Sequence, residues 1–120
     1  MFLLDRNIII HALSPSHDQI RDFLRAKNLV TSIISKIEVL GYSKLTDHER
    51  EGFQIFFGSI PSIQLTESIV ESAIKLRQVR KMTLGDSIIA ATALVNKLEL
   101  VTANTKDFDW ISDLKVVNFQ

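Results

Sequence analysis

Four carboxylates, Asp5, Glu38, Asp86 and Asp107, lie far apart in a chain of 120 residues, each beside the predicted end or start of a strand or helix. Oxygen donors of this kind suit a hard divalent cation, since magnesium binds octahedrally through a few carboxylates and keeps several waters that a phosphate can replace. A cation is also the least costly way to hold several acids together. A buried unpaired carboxylate is unfavourable, and grouping acids raises their pKa values until something positive neutralises them. The four acids therefore point to a magnesium or manganese pocket, provided the fold brings them to one place.

Helical phase favours the inward direction for two of them. At about 100° per residue, Glu38 shares a stripe with Ile34, Gly41, Tyr42 and Leu45, and Asp86 shares one with Ile89, Ala90 and Ala93. Each acid also has a purely local reading. Glu38 could complete a capping box with Ser35, Asp86 could favour a helix start, Asp107 could close an Asn-x-x-Asp turn from Asn104, and Asp5 could cap the first helix.

The elements that must position these acids alternate. Residues 2–4 (Phe-Leu-Leu) read as a buried strand, 7–13 as a helix, 18–26 as a helix and 29–31 as a strand. Helices follow over 35–45, opening with Ser35-x-x-Glu38, and over 46–57, opening with Thr46-x-x-Glu49, while Gly41 and Gly58 mark a weak point and a stop. After Pro61 come a strand over 63–65 and a long helix capped by Thr66 and reaching Arg80, with Ile69, Ala73, Leu76 and Val79 as its apolar stripe. An Ala-rich helix over 86–96 and strands over 98–102 and 115–117 complete the chain. Strands alternating with helices predict an α/β fold on a mainly parallel sheet, read as one domain over residues 1–120. In such a sheet the four acids all fall on the carboxyl edge, where ligands bind in the crevice.

Composition bounds the alternatives. The apolar fraction of 46% is enough for one continuous core. There is no cysteine, which excludes disulfides and thiolate metal sites. Lys plus Arg and Asp plus Glu each total 14, so no bulk basic field advertises a polyanion partner. Apolar runs are far shorter than the roughly 20 residues of a membrane span, and no basic n-region opens the chain, which predicts a soluble cytoplasmic protein.

The strings MFLLDRNIII, TSIISKIEVLGY, LGDSIIAATAL and LVTANTKDF, in this order over nearly the whole chain, resemble the motifs of the PIN-domain ribonucleases, above all the VapC-like toxins of type II toxin–antitoxin systems. The resemblance implies a three-layer α/β/α fold and a metal-dependent endoribonuclease that hydrolyses RNA phosphodiesters. Asp5, Glu38, Asp86 and Asp107 would be its metal-binding and catalytic acids, with Asn7, Thr102 and Asn104 as supporting polar groups. It also implies a homodimer and a cognate VapB-like antitoxin. The mechanism would be metal-assisted in-line attack by an activated water, with Glu38 or Asp86 relaying its proton.

One position departs from the family pattern: Arg6 stands where these toxins usually carry Thr. A permanent cation there could pair with Asp5 or Asp86 and weaken metal binding, could grip substrate phosphate, or could be a solvated surface residue in a changed first helix turn. The alternative function is thus a catalytically weakened PIN-like domain that binds RNA or antitoxin. A haloacid-dehalogenase-like phosphatase would need a second acid where Asn7 stands.

Other chemistry-bearing residues receive structural assignments. His11, His17 and His48 lack metal-ligand spacing. Lys75, Arg77, Arg80 and Lys81 suit the dipole at the end of their helix. Phe53, Phe56, Phe57, Phe108 and Trp110 read as core.

Overall fold

Adjacent side chains of a strand point to opposite faces of its sheet, and in the first strand both are leucine. Leu3 and Leu4 are each fully buried, in two different core clusters. Apolar residues on both faces demand cover on both sides, which is the physical origin of a three-layer arrangement. The computed structural model describes residues 1–13, 18–25 and 27–118.

The elements run β1 (Phe2–Leu4), α1 (Arg6–Ala12), α2 (Asp18–Arg25), β2 (Leu29–Ser32), α3 (Ile33–Leu40) and α4 (Asp47–Ser59). Then follow β3 (Ser62–Ile63), α5 (Glu67–Val79), α6 (Leu84–Asn96), β4 (Glu99–Thr102), a single 3-10 turn (Thr105–Asp107) and β5 (Val116–Asn118). The five strands form a sheet in the order β3-β2-β1-β4-β5, with every pairing parallel. The chain builds outward from β1 to one side and then from β4 to the other. The switch between these directions falls between β1 and β4, where an open parallel sheet leaves a crevice at its carboxyl edge.

On one face, Leu3 and Leu100 pack with Ile89, Ala90 and Ala93 of α6 and with Phe108, Ile111 and Leu114. On the other, Leu4 and Val101 pack with Ile8 and Ile9 of α1, Leu24 of α2, and Phe53 and Phe57 of α4. Helix α6 is apolar almost all round because it is covered twice: its alanines let it approach the sheet, while Ile88 and Ala91 meet Ile69 and Ala73 of α5. Its two buried hydroxyls are satisfied within the helix, Ser87 donating to the Leu84 carbonyl and Thr92 to that of Ile88. Each fully buried Leu or Ile in these layers contributes about 1.5–3 kcal/mol relative to exposure.

Several boundaries differ from the sequence reading. The Ser35-Glu38 capping box does not form: α3 starts at Ile33, and the cap is Ser32, whose hydroxyl oxygen accepts from the Ile34 N–H at 3.2 Å. Ser32 ends β2 in an extended conformation, which places it at the junction, and Ser35 is left a full turn inside, buried and without a hydrogen-bond partner. The helix also stops at Leu40 rather than at residue 45, with Gly41 as its cap. Helix α6 begins two residues early because Thr83 caps it. The strand expected over 63–65 is Ser62–Ile63, and the last strand is Val116–Asn118. Val79, assigned to the apolar stripe of α5, is 75% exposed, since the helix ends there with nothing beyond to cover it. The Thr46-Glu49 capping box is present as the spacing predicts.

Phe53, Phe57 and Phe108 are buried, and Phe56 and Trp110 pack half-buried against the core. Arg80 lies over the Trp110 ring at 5.5 Å, a cation–π contact in place of a purely dipolar role. Ala26 and His17 lie outside the described residues. No helix among the described residues is long and apolar enough to cross a membrane.

Candidate metal centre

Asp5 is the best-fixed acid. It follows β1, is 7% exposed, and both its carboxylate oxygens are engaged. Oδ1 accepts the Arg6 N–H at 2.8 Å, so Asp5 caps α1, and Oδ2 accepts the Thr102 hydroxyl at 2.8 Å. The local capping reading of Asp5 is therefore correct and compatible with a pocket position. The Thr102 oxygen in turn accepts the Asn104 N–H at 3.0 Å. A three-member chain thus runs across the switch point from the loop after β4 to the end of β1. Thr102 acts through Asp5, and it is fully buried.

The other acids arrive from helices and a turn. Helix α6 precedes β4 and runs back across the sheet, so its first turn lies at the carboxyl edge. Thr83 caps it, accepting the Asp86 N–H at 3.1 Å, and Asp86 occupies the third helical position. Glu38 reaches the same edge from the last turn of α3, while Asp107 ends the 3-10 turn that Asn104 opens. That turn is secured by the Trp110 indole N–H, which donates to the Asp107 carbonyl at 3.1 Å.

Asp5, Arg6, Asn7, Glu38, Thr83, Gly85, Asp86, Ile89, Asn104 and Asp107 line a single pocket of about 420 Å³. All four sequence-predicted acids and Asn7 and Asn104 thus share one cavity, with Thr102 directly behind Asp5. His11 and His48 are not among its lining residues. Thr83 and Gly85 are the lining residues that sequence reasoning missed. A Ser or Thr just before an apolar helical run is a cap signal, so Thr83 was open to discovery, whereas Gly85 carried none.

The Arg6 guanidinium forms its ion pair with neither Asp5 nor Asp86, the partners its position suggested, but with Glu38. It donates to Glu38 Oε2 at 3.4 Å, with the two side chains 48% and 30% exposed. An exposed pair of this length is worth about 0–1 kcal/mol. Arg6 opens α1, lines the pocket and is half-exposed there.

The electrostatics are those of crowded like charges, four carboxylates against one guanidinium. Burial, with repulsion from Asp5 and then Asp107, raises the Asp86 carboxyl above its ordinary range, opposed by the Thr83 hydrogen bond and by Arg6. Among the described residues no three acids or histidines form a ready-made metal cage. The set nevertheless fits magnesium or manganese: all donors are oxygen, the charge surplus would be relieved by a divalent cation, and such ions retain several waters rather than demanding a full protein shell.

A PIN-domain family model matches residues 2–114, and the chain belongs to the PIN-domain family. Proteins of this family are generally nucleases and typically use divalent metal ions. Among solved structures, a toxin–antitoxin complex from Klebsiella pneumoniae is 33% identical, with 98% of this chain and 97% of that chain covered and a TM-score of 0.82. VapBC2 from Rickettsia felis, bound to a promoter DNA fragment, is 22% identical over 99% of this chain and 98% of that chain, with a TM-score of 0.87. VapBC-1 from nontypeable Haemophilus influenzae is 24% identical over 98% and 96%, with a TM-score of 0.81. No curated protein matches the chain.

Two outcomes follow from this geometry. Thr102→Val leaves a buried carboxylate oxygen and the Asn104 N–H without their partner, so urea denaturation should show a loss of about 1.5–3 kcal/mol; a loss below about 0.5 kcal/mol would mean the chain carries little. For Asp86 the folded-state pKa is raised, so the native protein holds the proton more tightly than the unfolded chain. Its charge therefore costs stability as pH rises from about 4, the unfolded value, through the raised folded value, and the cost persists at neutral pH. Metal-free Asp86→Asn should melt above wild type at pH 7, and this advantage should fade as pH falls below about 4; a pH-independent difference would contradict the crowding.

Proposed function

We propose that the protein is a metal-dependent endoribonuclease, the toxin of a toxin–antitoxin pair, that hydrolyses RNA phosphodiesters. The observation that carries this reading is the convergence of Asp5, Glu38, Asp86 and Asp107 on one pocket at the switch point of a PIN-domain sheet. The toxin–antitoxin structure at 33% identity supports the pairing with a VapB-like antitoxin. The cytoplasm is the compartment that offers such a nuclease its RNA.

Asp5, Glu38, Asp86 and Asp107 would hold magnesium or manganese, largely through water on the more exposed acids. When bound, the ion would polarise the scissile phosphate and lower the pKa of a water for in-line attack. Thr102 holds Asp5 in one rotamer, so that one donor is oriented before any ligand arrives. Asn7 and Asn104 line the pocket and offer amide groups to ribose or phosphate oxygens. Arg6 stands at the rim with a weak contact to exchange, and its fork matches a phosphate arriving there. Glu38 and Asp86 are the two candidate relays for the proton of the attacking water, both lining the pocket.

The cavity between α1 and α4, about 630 Å³ and lined by Ile10, Leu13, Phe53 and Ile55 among others, gives an antitoxin an apolar seat outside the acidic pocket. Val70 and Ile74, exposed one turn apart on α5, give the proposed homodimer a surface. Light scattering at high micromolar concentration should return twice the chain mass; a monomer there would end the dimer proposal.

Cleavage of total RNA with magnesium or manganese tests the activity. Wild type should cleave, chelation and a VapB-like antitoxin should each suppress it, and Asp86→Asn should lose at least about a hundredfold, since a metal ligand and a candidate relay go together. Arg6→Thr should change manganese affinity by less than about fivefold, the reach of an exposed ion pair. RNA left intact by wild type across both metals, or cut equally by Asp86→Asn, would overturn the assignment.

A further inference from the structure

We infer that Gly85 is a positioning residue for Glu38, its missing side chain being the seat in which the Glu38 carboxylate rests against the first turn of α6. The inference builds on the proposed metal site and concerns how its α3 acid is placed.

A Cβ built on Gly85 would lie 2.9 Å from Glu38 Oε2 and 3.5 Å from both Cδ and Oε1. The carboxylate therefore occupies the space that any other residue would fill. The same oxygen, Oε2, is the one that Arg6 approaches at 3.4 Å. Glu38 is held between a guanidinium and a bare backbone, and no hydrogen bond from its own helix fixes it. The seat lies at a helix start, where the partial positive charge of the first turn favours a carboxylate. Gly85 needs no unusual backbone, since positive φ among the described residues is confined to Lys97. Within a helix, glycine is less favourable than alanine by up to about 1 kcal/mol, so local stability does not account for it. Close approach by Glu38 does. The neighbour that must give way on adding a Cβ is the end of a flexible side chain, so Gly85→Ala should fold and move Glu38 off α6 toward solvent.

The test separates this inference from the proposed function. In metal-free protein, Gly85→Ala should raise the melting temperature by about 2–4 °C when Glu38 is also replaced by Ala, and by clearly less when Glu38 is present. An equal gain in both backgrounds overturns the inference, whatever the protein's activity. With manganese, calorimetric titration of Gly85→Ala should show affinity about three- to tenfold weaker than wild type, with no such loss on adding Gly85→Ala to Glu38→Gln. Unchanged affinity in Gly85→Ala, or the same loss in the Glu38→Gln background, overturns it. A wild-type protein that takes up no manganese refutes the metal reading instead, and the metal-free cycle still decides the role of Gly85.

Discussion

A carboxylate removed from water at the end of a central strand must have both oxygens occupied, or the strand that carries it cannot stay buried. Asp5 is in that position. The first N–H of α1 serves one oxygen and the Thr102 hydroxyl the other, so the acid is bound to the helix after its own strand and to the neighbouring strand across the switch point. The rest of the site is arranged around this fixed charge: Asp86 faces it from α6, Asp107 from the turn after β4, and Glu38 from α3. The crowding shows at Asp86, the acid whose proton affinity is raised by burial and by Asp5 and Asp107.

Much of this was legible in the sequence because it depends on local order. Leu3-Leu4 and Leu100-Val101 mark strands buried on both faces, which fixes the layers, and an acid just past a strand or in the first turn of a helix has its edge fixed once the sheet is parallel. Asp5, Asp86 and Asp107 were readable in that way. Glu38 was right in place but misleading in context. Ser35-x-x-Glu38 imitates a capping box, and only the extension of β2 to Ser32 shows that the cap lies three residues earlier and that Glu38 faces the pocket.

What the sequence did not carry is relative placement. The Arg6–Glu38 contact depends on how α1 and α3 cross, and the nearness of Gly85 to Glu38 on how α3 meets α6; neither leaves a pattern in either segment alone. The same applies to Val79, whose spacing of three from Leu76 suggests the buried face, but which has turned about 80° from Ile69 and is the last residue of its helix. Arg80 likewise reads as a dipole partner until the fold brings Trp110 beneath it.

Helix α6 is packed against the sheet on one side and against α5 on the other, and its buried hydroxyls are bonded within it. Asp86 stands on its first turn, and Asp5 is anchored across two strands. Glu38 and Arg6, by contrast, meet through one long, half-exposed contact, and Glu38 rests otherwise only on the bare backbone at Gly85. The pocket therefore has one stiff wall and one compliant wall. In the proposed metal site, Asp5 and Asp86 would be set before any ion arrived, and adjustment would fall on the side chains of Glu38 and Arg6. In the proposed site, that division would let ions of somewhat different radius be accommodated without disturbing the core behind it.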